Sequence, residues 1–61
     1  MKTSELIWML KKAGCELIHH AKRHDEWYSP ITGNYFQLPR HKSKELAVGT
    51  AESIMKKAGL K

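Results

Sequence analysis

A chain reversal is the tightest constraint on this sequence. Residues 29–34, SPITGN, separate two short aromatic stretches, DEWYS (25–29) and NYFQLP (34–39). Pro30 suits an early position of a type I turn, because its ring fixes φ. Gly33 supplies the positive φ that closes a hairpin. The flanking stretches therefore pair as antiparallel strands. In the second of them Phe36 and Leu38 fall on one face, with Tyr35 and Gln37 on the other.

Upstream, TSELIWMLKKAG has the spacing of a helix. Leu6, Met9, Leu10 and Ala13 form one stripe, with Ile7 at its edge. Thr3 or Ser4 is the candidate cap. Lys11 and Lys12 suit the C-terminal end of the helix dipole, and Gly14 suits its stop. Trp8 falls off the stripe, which leaves it packed under a neighbouring segment or exposed as an anchor for a partner protein. Next comes CELIHHA (15–21), a short strand with Cys15, Leu17 and His19 expected on one face, although Ile18 breaks the alternation. Downstream, PRHKSKELAVG reads as a polar connection. TAESIMKKAGLK then reads as a second helix, with Thr50 as cap and Glu52 in its first turn. Its stripe is Ala51, Ile54, Met55 and Ala58, and Gly59 is its stop.

The expected fold is α+β in the order α-β-β-β-α, with both helices on one face of a three-stranded antiparallel sheet. The opposite face and its loops are left for a ligand. With 61 residues the chain makes a single domain, spanning residues 1–61. A domain of this size buries only about 60% of its unfolded surface. It has no room for a deep cofactor pocket, so no small-molecule cofactor is expected.

Eleven Lys and Arg against six Asp and Glu give a net charge of +5. Such a surface favours a polyanionic partner, nucleic acid above all. Cys15 is the only cysteine, which excludes an internal disulfide and fits the cytoplasm. The longest apolar run, LIWML, is too short to span a membrane, and no membrane partner is expected.

Few residues here can carry chemistry. His19 and His20 are adjacent on a strand and point to opposite faces, so they cannot chelate together. Neither C-x-x-C nor H-E-x-x-H is present, and no metal is expected. Cys15 follows a helix end, where nothing activates its thiol. His24 remains, either as an ordinary surface histidine or as a general acid or base near neutral pH. Lys22 and Arg23 precede it. Arg40 and His41 lie just beyond the third strand. Together these four form a candidate phosphate-binding set. Such groups suit RNA cleavage, in which a base removes the 2′-hydroxyl proton and cations stabilise the charged transition state.

The pattern as a whole resembles the HicA family of toxins, small mRNA interferases of bacterial toxin–antitoxin pairs. The resemblance is carried by TSELIWMLKKAG, KRHDEWYSPITGNYFQLPRH, KEL and GTAESIMKKAGLK, in order across nearly the whole chain. It implies a fold similar to the double-stranded RNA-binding domain. It implies that His24, where the family places its functional histidine at the start of the second strand, is needed to cut mRNA. It also implies neutralisation by a HicB-type antitoxin, for which Trp8, Tyr28 and Tyr35 are candidate contacts. Many members carry a glycine shortly before that histidine, where this chain has Ala21, Lys22 and Arg23.

Other readings of the same residues are a basic module that holds RNA without cutting it, or a protein whose basic surface serves only an acidic partner. A helix-turn-helix DNA reader is disfavoured, since three strands separate the helices.

Overall fold

Leu6 and Leu10 stand one helical turn apart, and both are fully buried. The helix that carries them must lie against the sheet. In the computed structural model, which describes all 61 residues, it is α1 (Thr3–Lys12). It is followed by β1 (Glu16–His20), β2 (His24–Tyr28), β3 (Tyr35–Pro39) and α2 (Val48–Ala58). The sheet is antiparallel in the order β1-β2-β3. Trp27 pairs with Phe36, and Asp25 pairs with Leu38. The buried Trp27, Phe36 and Leu38 therefore share one face of the sheet. They form a single core with Leu6 and Leu10 of α1 and with Ala51, Ile54 and Ala58 of α2. Cys15 and Leu46 complete it. Both helices thus cover the same face, as the periodicities imply.

The two helices end alike, in LKKAG and MKKAG. In each, paired backbone bonds close the last turn. Cys15 N–H donates to Leu10 O at 2.9 Å and Gly14 N–H to Lys11 O at 3.1 Å; Leu60 N–H donates to Met55 O at 2.8 Å and Gly59 N–H to Lys56 O at 3.2 Å. Gly14 and Gly59 take positive φ, and so does Gly33 in the hairpin turn.

The β2–β3 turn docks on the end of α2. The Ser29 hydroxyl donates to Ala58 O at 2.6 Å, Asn34 Nδ2 donates to Lys57 O at 3.1 Å, and the Thr32 hydroxyl also donates to Lys57 O. Turn side chains thereby satisfy carbonyls that the helix end leaves open. Ser29 is fully buried, and its oxygen also accepts from Ile31 N–H at 3.3 Å. Ser29→Ala is expected to cost about 1–3 kcal/mol, read as a lower denaturation midpoint with an unchanged slope.

Three local expectations are corrected. First, neither Thr3 nor Ser4 caps α1. Lys2 occupies that place, and Thr3 and Ser4 are already helical. Their N–H groups donate to Lys44 O and Lys42 O, each at 2.9 Å. Backbone carbonyls of the segment before α2 cap the helix, so a side-chain cap is not needed. Thr3 is buried, and its hydroxyl also donates to Lys44 O at 2.9 Å.

Second, α2 begins at Val48 rather than after Thr50, with Ala47 at the cap and no acidic residue in its first turn. Leu46 enters the core just before it, and Lys2 and Glu45 form an isolated bridge. The presumed connection is therefore pinned to the fold, and the helix starts where it leaves that anchor.

Third, Cys15 precedes β1 and is buried, and Leu17 and His19 do not share a face. Leu17 pairs with Trp27 and His19 with Glu26, so the register slips by one residue at Ile18. This bulge sends Leu17 toward the helices and His19 to the open face.

Candidate functional site

A tight turn ends β1 and begins β2. His20 pairs with Asp25, and Ala21 N–H donates to His24 O at 2.8 Å, leaving Lys22 and Arg23 at the tip. His24 is the first residue of β2 and pairs with Pro39 of β3. Side chains alternate along a strand. Asp25 and Trp27 point toward the helices, so His24, Glu26 and Tyr28 point to the open face. Lys22, Arg23 and His24 are all exposed. Arg40, next after Pro39, sits at the same end of the sheet, and His41 follows it, also exposed. The structure thus brings Lys22, Arg23, His24 and Arg40 to one end of the sheet.

The three histidines of this hairpin differ. His20 Nδ1 lies 2.6 Å from Asp25 Oδ1, on the helix side. His19 Nε2 lies 3.3 Å from Glu26 Oε2, on the open side. His24 has no carboxylate partner, so both its ring nitrogens are open to a ligand. Asp25, only 13% exposed at its side chain, is a hub. It holds His20 from β1 and lies 3.6 Å from Arg40 Nε beyond β3. One carboxylate thereby ties the ends of all three strands beside His24. These partnerships lay outside the sequence reading, because the bulge at Ile18 sets which histidine faces which acid and no residue type announces it.

Two shallow hollows exist, and neither contains His24. One, lined by Ser4, Glu5, Trp8 and Met9, lies on α1. The other lies on the helix side between α1 and the β1–β2 hairpin and includes Lys11, His20, Asp25, Trp27 and Lys42. The buried Trp27 indole N–H finds no acceptor. No three His, Cys, Asp or Glu side chains gather as a metal cluster would require. A flat, open sheet face with a basic rim suits a long polymeric ligand better than a small molecule.

Trp8 is 62% exposed on α1, with Lys12 Nζ 4.6 Å from its ring centroid. It lies in the helical layer, apart from the open face that carries Tyr28 and Tyr35. Those two rings are direct cross-strand partners, with centroids 4.9 Å apart. No helix is long and apolar enough to cross a membrane.

No curated protein and no solved structure matches the chain. A family model described as HicA toxin of bacterial toxin–antitoxin matches residues 3–60. That span takes in both helices, the whole sheet and His24. The family's systems pair each toxin with a cognate antitoxin, and by this match the chain belongs to the HicA toxin family.

Proposed function

We propose that this toxin is a metal-independent endoribonuclease that cuts mRNA, with His24 as its acid–base group. The observation that carries the reading is the contrast among the hairpin histidines. His19 and His20 are engaged by carboxylates, while His24 alone of the three presents free ring nitrogens on the open face, next to Lys22 and Arg23, with Arg40 held by Asp25 at the same end of the sheet.

The chemistry needs only these groups. A neutral His24 ring nitrogen takes the proton of a ribose 2′-hydroxyl. The oxygen attacks the adjacent phosphorus, the bond to the 5′-oxygen breaks, and that oxygen takes up a proton. Lys22, Arg23, Arg40 and His41 hold the phosphate and balance its growing charge. Cutting mRNA blocks translation until a HicB-type antitoxin covers the face.

The second reading, a non-catalytic RNA-binding module, is favoured by the same exposed cations and by the lack of a hollow around His24. A time course of a mixed mRNA with purified protein in excess chelator separates the two. The nuclease reading expects accumulating fragments. Intact RNA that still shifts in a gel would leave only the binding module.

A further inference from the structure

We propose that the open sheet face is a platform for unpaired RNA, with bases stacking on the Tyr28–Tyr35 pair and the strand running on toward His24. This rests on the ribonuclease reading of His24 and names its substrate class as single-stranded.

Tyr28 and Tyr35 face each other across β2 and β3, tilted by 49° with centroids 4.9 Å apart. The core lies on the other side of the sheet, and no helix covers the pair. Tyr35 is 60% exposed. Packing of the hairpin accounts for the contact between the rings, but it leaves the outer ring surface unpartnered. Every base offers a π-face to such a ring, so stacking there tolerates any sequence. Duplex RNA cannot use the platform, because its bases are already stacked on one another. Open sheets with exposed aromatics capture splayed bases in this way.

Charge gives the bound strand a direction. Tyr28 lies four residues along β2 from His24, about 13 Å, and on the same face. Lys22 and Arg23 lie at the His24 end, and Arg40 reaches Asp25 on the other side of the same end. Glu26, between the two ends, is engaged by His19. At the tyrosine end Glu16 pairs with Tyr28 in register and has no cationic partner. Phosphates are therefore drawn to Lys22 and Arg23 at the histidine end, while bases are held on the rings at the tyrosine end. The cut falls a few nucleotides from the stacked base.

The test uses the His24→Ala protein, so that RNA stays intact, with a labelled mixed-sequence single strand and a blunt two-strand duplex of equal length. The single strand is expected to bind at least about tenfold more tightly than the duplex. Tyr35→Ala is expected to weaken single-strand binding by about tenfold or more. Tyr35→Phe, which keeps the ring, is expected to bind like its parent. Equal affinity for the duplex would overturn the proposal. So would unchanged binding by a folded Tyr35→Ala, loss of antitoxin binding alone in that variant, or a Tyr35→Phe as weak as the alanine. Cleavage by the His24 protein is read separately. Its absence, with ring-dependent binding of single strands retained, would overturn the nuclease reading and support the platform.

Discussion

Gly59→Ala is expected to remove about 2–4 kcal/mol of stability, more than the same change at any other glycine of the chain. Two independent penalties meet at this position. Gly59 has φ of +84°, where a side chain costs about 1–2 kcal/mol. A Cβ there would also sit 2.7 Å from Ile31 Cγ2 and 3.0 Å from Thr32 Cγ2, side chains of the turn docked on α2. Forced overpacking of this kind costs about 1–3 kcal/mol. A domain of this length has roughly 3–9 kcal/mol in all, so the melting temperature should fall by about 10 °C or more. Gly49→Ala is the matched control. It lies inside α2, has ordinary φ, and its added Cβ meets nothing within 4 Å. That change should be neutral or slightly stabilising. Equal melting temperatures for the two variants would show that the turn does not press on the end of α2.

His24→Ala is expected to lower cleavage by about 10²–10⁴-fold, the usual contribution of a positioned acid or base. The fold should be untouched, because the imidazole is exposed and no carboxylate of the protein engages it. RNA affinity should change little, since Lys22, Arg23 and Arg40 remain. The loss therefore falls on kcat and leaves KM nearly unchanged. His20→Ala makes an informative contrast. It takes one partner from Asp25, whose other partner Arg40 remains, and should reduce activity far less. A folded His24→Ala that cuts at the wild-type rate would end the assignment of His24, and a comparable rise in KM with kcat unchanged would recast it as a binding residue.

The architecture was readable because its signals are local. SPITGN demands a turn, Phe36 and Leu38 alternate, and Leu6 with Leu10 and Ile54 with Ala58 repeat at helical spacing. His24 is legible in a different way, by elimination of other chemistry and by the resemblance to the HicA family, since its own neighbours leave it readable as an ordinary surface histidine; the structure places it at the start of β2. The helix starts could not be read, because their caps are tertiary. The chain around Lys42 and Lys44 supplies carbonyls to α1, and Leu46 anchors the entry to α2. Nor could the faces of β1 be read. One bulge at Ile18 exchanges the sides of His19 and His20 relative to Leu17, and with them the choice between Glu26 and Asp25 as partner. Register depends on pairing across strands, which a reading of one strand at a time does not contain.

The central claim is that His24 acts on the 2′-hydroxyl of RNA, and substituting that hydroxyl tests it most directly. After cleavage sites on a defined RNA have been mapped, a strand with 2′-deoxyribose at the scissile nucleotide is incubated with the protein in excess chelator. The prediction is that this one bond is spared while other sites are still cut, and that the fragments end in 2′,3′-cyclic phosphate and 5′-hydroxyl. Cleavage at the deoxy position at an undiminished rate would contradict the account, because the attacking oxygen would then come from somewhere other than the ribose beside His24.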